Sequence, residues 1–438
     1  MLTSVLGTGY LGATHAACLL RCGHEVVGID IDAARIESLA AGRLPFHEPG
    51  LGDILDDGMR SGRLRFATDL TEAASAEVHF ICVGTPQQAG SHAADLTDVW
   101  TAVRGLSPHL NAPCLVVGKS TVPVGTAAKI RDELHGTAPA GRAVSTAWNP
   151  EFLREGHAVH DALHPDRLVL GVDDDESDQM LRTLYAPLLA EGTPVVRTDL
   201  ATAELAKVSA NLMLAARISL VNVLAEVCEV AGADVGDLID VLGLDARIGP
   251  SFLVPGIGYG GGCLPKDTRA FAARASELGV VESARLVREV DAVNMRQRSR
   301  TVDRAIEMLD GPPEEATVAV LGAAFKAGSD DVRDSPALDV ATTVQLRGAQ
   351  VRVYDPRAKL TARAARPELD HVDSLEDACR DVDLVMVLTD WDEFASIDPV
   401  ALAGVVRRPA VIDGRLLLDA DKWRAAGWRF HALGRGTS

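Results

Sequence analysis

The 438-residue chain has no CxxC pair, no run of basic residues and no unbroken apolar stretch of membrane-spanning length, and each absence removes a class of protein. Its seven cysteines, odd in number and scattered from Cys18 to Cys379, argue against a disulfide framework and for a reducing compartment, so a cytoplasmic location is expected. Acidic residues exceed basic ones by 62 to 43, a net charge of −19, so neither nucleic acid nor an anionic membrane surface is an expected partner. The most apolar long stretch, LMLAARISLVNVLAEV, carries Arg217, Asn222 and Glu226, which leaves it short of the about 20 apolar residues a span requires. No transmembrane helix is therefore expected. The first residues enter a strand pattern without the charged and apolar regions of a signal peptide, so secretion is not expected either.

What the chain does have is the balance of a folded globular protein, 47% apolar and 24% charged residues, in a length that implies two or three domains. SVLGTGYLG reads as a strand entering Gly7, Gly9 and Gly12, and ATHAACLLRCG as the helix that follows, closed by Gly23. The next strand, EVVGID, ends at Asp30, eighteen residues beyond Gly12. Strand, turn, helix and acidic residue fall where a dinucleotide site needs them. Gly7 permits the turn, Gly9 admits the pyrophosphate to the backbone, and Gly12 lets helix and strand pack closely. The helix N-terminus offers free N–H groups, and Asp30 accepts from ribose hydroxyls and disfavours a 2′-phosphate, so NAD is the expected cofactor. His15, Cys18 and Cys22 share one face of that helix, but without a fourth ligand nearby they read as core residues, and no metal is expected.

Further strand-like runs, VHFICVGTP, PCLVVGKSTVP, AVSTAWNPEF and RLVLGV, alternate with helical patterns as in a doubly wound parallel sheet. Thr85, Thr121 and Glu151 close three of them, at the strand ends where such sheets bind ligands. From Asp199 to Gly232 a single long helix is expected, with Leu205, Val208, Leu212, Ala216, Leu220, Val223 and Val227 as its apolar stripe and Lys207 and Asn211 projecting together, four residues apart. A second α/β unit starts near residue 317, where Val320-Leu321-Gly322 repeats Val5-Leu6-Gly7 and Asp355 ends its strand as Asp30 does. Its GAAFKAG turn has lost the second glycine to Ala324 and gained Lys326, which suits a phosphate rather than a dinucleotide. The expected architecture is α/β: two Rossmann-like doubly wound domains, 1–196 and 300–438, joined through a helical middle region, 197–299, that holds the long helix.

The densest glycine run is GYGGGCLPKD, residues 258–267. Pro265 suits the start of a helix, which puts Cys263 at a helix N-terminus beside Lys266, a setting that stabilises a thiolate. Gly260, Gly261 and Gly262 keep side chains away from the sulfur; a glycine hinge with an incidental cysteine is the alternative reading. An NAD domain with a nucleophilic cysteine suggests oxidation of an alcohol to an aldehyde, its capture by sulfur, and a second oxidation to a thioester that water hydrolyses. A two-electron hydroxyacid dehydrogenase or a catalytically silent NAD-dependent sensor would need no such thiol.

These segments, together with HEPGL, VGTP, KSTVPVGT, NPEFLREG, ELAKVSAN, RIGPSFL, AFKAGSDDVRDSP and DGR, give the chain a resemblance, along essentially its whole length, to the UDP-glucose/GDP-mannose dehydrogenases. The resemblance implies that Cys263 is the nucleophile, that Lys207 and Asn211 bind the substrate oxygen as it gains charge, that Asp267 and Thr121 position a water, and that Glu151 and Glu155 assist proton transfer or thioester hydrolysis. It implies NAD contacts from Gly7, Gly9, Tyr10, Leu11, Gly12, Asp30, Arg35, Thr85, Thr121, Glu155, Lys266 and Arg333. For a UDP-sugar, UDP-glucose foremost, with UDP-N-acetylhexosamines and GDP-mannose as alternatives, it implies Glu151, Phe152, Leu153, Lys207, Asn211, Tyr259, Gly260, Lys326 and Arg415. The same resemblance implies that Arg247 completes that set from a second subunit, in keeping with an expected homodimer built on the long helix. Gly262 stands where the family often has a larger residue.

Overall fold

The computed structural model describes residues 1–435 and packs into two compact units, 1–210 with 273–278, and 211–272 with 279 onward. In the first unit, strands β1 (Leu2–Leu6), β2 (Glu25–Ile29), β3 (Leu64–Ala67), β4 (Val78–Ile81), β5 (Cys114–Gly118), β6 (Val144–Trp148), β7 (Leu168–Val172) and β8 (Val195–Thr198) form one sheet, ordered β3-β2-β1-β4-β5-β6-β7-β8. Its central strands are near-continuous apolar runs, as burial on both faces demands: Val5, Val27, Phe80 and Val116 are fully buried. The order reverses between β1 and β4, so a crevice opens at the carboxyl ends of those two strands. The sheet departs from the all-parallel expectation at one place, where β6 meets β7 antiparallel, Ala147 opposite Val172. The link between them holds only the short helix Ala158–Leu163, and β7 and β8 return as a parallel pair of their own.

The second unit repeats the scheme with β9 (Thr317–Leu321), β10 (Gln350–Tyr354), β11 (Asp370–His371), β12 (Leu384–Val387), β13 (Ala410–Asp413) and β14 (Arg429–Ala432), all parallel, ordered β11-β10-β9-β12-β13-β14. Its reversal lies between β9 and β12. Ahead of this sheet runs a second long helix, Val281–Met308, that the residue pattern does not single out. The boundaries expected at 196/197 and 299/300 fall inside β8 and inside this helix.

The helix Leu200–Ala231 has the expected length, 32 residues, and its apolar stripe is only partly covered, with Val208 buried. Leu220 and Val227 are 61% and 59% exposed, whereas Glu204, Lys207, Asn211, Ala215, Ser219, Asn222 and Ala225 are buried. The face turned inward mixes these polar and small residues with Val208 and Val221; on it Asn222 Oδ1 accepts from the Gly256 N–H, and the Ser219 hydroxyl donates to the Val290 carbonyl. By length and composition alone this helix would also suit a membrane span, yet its buried polar residues serve protein partners.

Candidate functional site

In the first unit the glycines act as their spacing suggests. Gly7 has φ +88°, and a Cβ on Gly12 would lie 1.8 Å from the Gly7 carbonyl oxygen, so neither position accepts a side chain. A Cβ on Gly9 would meet nothing within 4 Å, which leaves open the backbone approach that a pyrophosphate requires. The helix Tyr10–Arg21 begins directly after Gly9, has no acidic residue in its first turn and has no side-chain cap, so its end is free to receive an anion. Leu11 packs on the core behind it. Asp30 is buried, its Oδ2 accepting from the Thr8 N–H at 2.8 Å and from Arg35 at 2.9 Å, and its Oδ1 from the Asp32 N–H at 3.0 Å. Burial opposes its charge, but the Asp32 and Thr8 N–H groups and the Arg35 guanidinium outweigh that and hold the carboxyl below its ordinary range. These residues fit NAD. His15, Cys18 and Cys22 are core residues: the His15 ring lies 4.3 Å from that of Phe80, and the Cys18 thiol donates to the Ala162 carbonyl at 3.2 Å.

At the neighbouring strand ends, Thr85 donates to the Thr121 carbonyl at 2.8 Å, and Lys207 Nζ stands 3.1 Å from Glu151 Oε1. Lys207 is buried, so its pairing with Glu151 is a charge-assisted contact rather than a solvated one. The other Glu151 oxygen accepts from the Leu153 N–H, and Phe152 stacks under the Arg167 guanidinium at 3.8 Å. The loop that carries Thr121 is anchored by Glu204, one helical turn before Lys207, which accepts from the Gly125 and Ala127 N–H groups at 2.7 and 2.6 Å. Burial raises the Glu204 carboxyl despite those bonds. Beneath the strand ends Lys119, its ammonium disfavoured by burial, donates to Asn149 Oδ1 at 2.8 Å.

In the second unit, Cys263 immediately precedes the helix Leu264–Glu277, whose first backbone bond runs from the Asp267 N–H to the Cys263 carbonyl. It is the one exposed cysteine of the seven; burial pushes Cys82, Cys114 and Cys379 up to about 12, 11 and 12. The glycines ahead of it are tightly seated. A Cβ on Gly260 would lie 2.3 Å from the Asp334 carbonyl oxygen, one on Gly261 2.8 Å from the Phe325 ring, and one on Gly262 2.3 Å from the Arg333 guanidinium carbon. They therefore bring the Arg333 segment against the cysteine loop. Buried Asp267 joins two further candidates, accepting from Asn211 Nδ2 at 2.6 Å and from Lys266 Nζ at 2.5 Å. Lys266 thus directs charge at Asp267, a use the residue pattern does not suggest. Tyr259 is held by Asn294, which accepts from its N–H at 2.7 Å.

Arg415 donates to the Leu388 carbonyl at 2.7 Å and lies beside Gly256, and the Lys326 ammonium sits 5.6 Å from the Phe325 ring centre. Arg247 stands apart from this group: its side chain is 88% exposed and pairs with Asp245. Glu48, Lys119 and Glu204 do not stand out in the sequence although HEPGL, KSTVPVGT and ELAKVSAN contain them, because a residue that organises a loop carries no chemical signature of its own. A carboxylate or lysine inside an otherwise buried pattern is the available signal.

Comparison with known proteins agrees with this geometry. Residues 1–189, 201–296 and 319–420 match the NAD binding, central and UDP binding domains of the UDP-glucose/GDP-mannose dehydrogenase family. The chain is 38% identical to a UDP-glucose 6-dehydrogenase of Bacillus subtilis, covering 99% of this chain and 93% of that one. It is 38% identical to a UDP-glucose 6-dehydrogenase of Rhizobium meliloti, covering 99% and 100%. Among solved structures it is similar to a UDP-glucose dehydrogenase of Pyrobaculum islandicum, with TM-score 0.90, 35% identity and coverage of 99% and 98%. It is also similar to a UDP-D-ManNAc dehydrogenase of Pyrococcus horikoshii, with TM-score 0.89, 28% identity and full coverage of both chains.

Proposed function

The chain belongs to the UDP-glucose/GDP-mannose dehydrogenase family, and on that premise we propose that it oxidises the primary alcohol of UDP-glucose to a carboxylate, using two NAD and one water and yielding UDP-glucuronate and two NADH. The observation that carries the reading is the single exposed cysteine, set at a helix start behind three glycines. NAD, held by Gly7, Gly9, Gly12 and Asp30, supplies the hydride acceptor. Lys207 and Asn211 stabilise the substrate oxygen, and the Lys207–Glu151 pair offers a place for its proton. The Cys263 sulfur adds to the aldehyde carbon, the carbonyl oxygen taking a proton. Loss of hydride and a proton from that adduct leaves a thioester. Water, whose positioning the resemblance assigns to Asp267 and Thr121, adds to its carbonyl with Glu155 assisting the loss of one proton, and the C–S bond breaks as the sulfur takes the other, releasing the carboxylate and the Cys263 thiol. Arg415 and Lys326 hold the diphosphate.

The same reading includes a homodimer, supported by the exposed Leu220, Val227, Val241 and Leu244, with Arg247 reaching the partner's substrate. Free cysteines support a cytoplasmic setting, and the acidic net charge supports leaving nucleic acid and membranes out of its partners. The test is to count NADH against limiting substrate across a nucleotide-sugar panel. Two NADH per UDP-glucose with no free aldehyde is the expected result. One NADH with released aldehyde would overturn the thioester route, and faster turnover of UDP-N-acetylmannosamine would reassign the sugar.

A further inference from the structure

Glu48 lies in the segment HEPGL and carries no chemical role of its own, yet it is buried at 5% exposure. A buried carboxylate needs several donors, and Glu48 has three. Its Oε2 accepts from the Tyr10 hydroxyl and from the Gly156 N–H at 2.9 Å, and its Oε1 accepts from the Val159 N–H at 3.2 Å. The Gly156 N–H also donates to the Tyr10 oxygen at 3.0 Å, and Gly156 takes φ +79°, a turn that suits glycine. The residue on the other side of Glu155 is anchored too: Arg154 donates to Asp161 through its backbone N–H at 2.9 Å and through its guanidinium at 2.6 and 2.9 Å. Glu155 therefore stands between two fixed points, one tied to Asp161 and one to the Glu48–Tyr10 pair. Burial, then the Glu48 bond and charge, and last the Glu155 carboxylate push the Tyr10 phenol upward, which keeps it protonated and a donor.

We propose that Glu48, with Tyr10 as its donor, is a positioning residue that fixes the loop carrying Glu155 against the first turn of the cofactor helix. The inference rests on the reading of Glu155 as the group assisting thioester hydrolysis. A side chain held one ångström out of place costs up to about a hundredfold in rate, so a loosened anchor slows the step Glu155 serves without touching the earlier ones. That step consumes water, breaks the bond between Cys263 sulfur and the acyl carbon, and returns thiolate, carboxylate and two protons.

Glu48→Gln keeps one carbonyl acceptor and loses the other, and Tyr10→Phe removes only the phenol donor, so the second variant remains informative if the first folds poorly. With saturating NAD and UDP-glucose, Glu48→Gln is expected to lower kcat by about ten- to a hundredfold and Tyr10→Phe by less, with the KM for UDP-glucose near its parent value in both and the NAD affinity of Glu48→Gln near its parent value too. Intact-protein mass during turnover should show a UDP-glucuronyl group accumulating on Cys263, a signature that a general loss of folded enzyme does not produce. Glu155→Gln is measured beside them. If Glu155→Gln accumulates the acyl-enzyme and the Glu48 and Tyr10 variants do not, the positioning role is wrong while the reading of Glu155 stands. If Glu155→Gln hydrolyses the thioester at the parent rate, that reading fails and takes the inference with it. A kcat loss in Glu48→Gln matched by a loss of NAD affinity would assign Glu48 to the cofactor seat and overturn the proposal.

Discussion

The two sheets begin with the same turn and use it for opposite ends. After β1, the Gly7 N–H bonds to the Ile29 carbonyl at 2.7 Å; after β9, the Gly322 N–H bonds to the Tyr354 carbonyl at 2.8 Å. In each case an aspartate closing the next strand accepts from the turn, Asp30 from Thr8 and Asp355 from Ala323 and Ala324. The likeness ends one residue later. In the first unit a helix starts at once and the space over Gly9 is open. In the second, Ala324 is fully buried, Thr389 donates to its carbonyl at 2.7 Å, and Ser335 donates to that of Ala323 at 2.7 Å. The helix Pro336–Leu346 then waits until the insert with Lys326, Asp331 and Arg333 has passed. One turn leaves the start of its helix uncapped and open; the other gives its peptide groups to the protein.

The comparison predicts that chemistry, cofactor seat and nucleotide seat fail separately. The largest effect belongs to Cys263→Ala, which alters neither turn: acid formation should fall by about a thousandfold or more, since a nucleophile and its activating shell supply several orders of magnitude. NAD and UDP-glucose affinities, read by calorimetry, should stay near the parent values, and iodoacetamide should reproduce the loss by labelling Cys263 ahead of the six buried cysteines. Carboxylate produced at the parent rate would make the glycines a hinge.

Next in size is Gly9→Val. Gly9 has φ −69° and open space, so the variant should melt near the parent temperature, yet the side chain fills the pyrophosphate approach. A loss of about 2 to 3 kcal/mol, one to two decades in NAD affinity, is expected while UDP-glucose binding holds. A parent-like NAD titration would mean that the first turn is not the seat. Smaller again is Lys326→Ala, which should weaken UDP-glucose by about tenfold, with a shallower salt dependence and NAD unaffected, because an incompletely buried charge is partly screened. A salt dependence equal to the parent's would remove Lys326 from the diphosphate contacts.

Much of this is legible in the residues themselves. The fingerprint of Gly7, Gly9, Gly12 and Asp30 is local, and its geometry follows from backbone sterics that sequence states directly. Cys263 at a helix start is readable for the same reason, through Pro265 and the glycines. The face of the long helix is not. Its leucines and valines carry the stronger apolar signal, but Leu220 and Val227 are exposed while Glu204, Lys207 and Asn211 are buried, where Glu204 and Asn211 meet protein partners from other segments. The pairing of Lys266 with Asp267, and of Glu48 with Tyr10, lies beyond the sequence because each depends on where separate segments meet or which of several rotamers wins.

The smallest effect is also the sharpest test of the comparison. If the second turn fails to hold a dinucleotide only because Ala324 replaces a glycine, then Ala324→Gly should create a second NAD site. The structure argues otherwise. The N–H groups of Ala323 and Ala324 both point to Asp355, at 2.7 and 3.0 Å, and the Phe325 N–H is given to the Asp331 carbonyl at 3.1 Å. A Cβ on Gly322 would already lie 2.4 Å from Thr389 Oγ1, so the turn is closed over by β12's continuation as well as by its own bonds. Removing one methyl leaves all of these in place. Ala324→Gly should therefore cost about 1 kcal/mol of stability, from a lost buried methyl and added chain entropy, seen as a small drop in melting temperature. Calorimetry should still count one NAD per chain, and a second equivalent bound by the variant would show that the missing glycine, rather than the occupied peptide groups, separates the two turns.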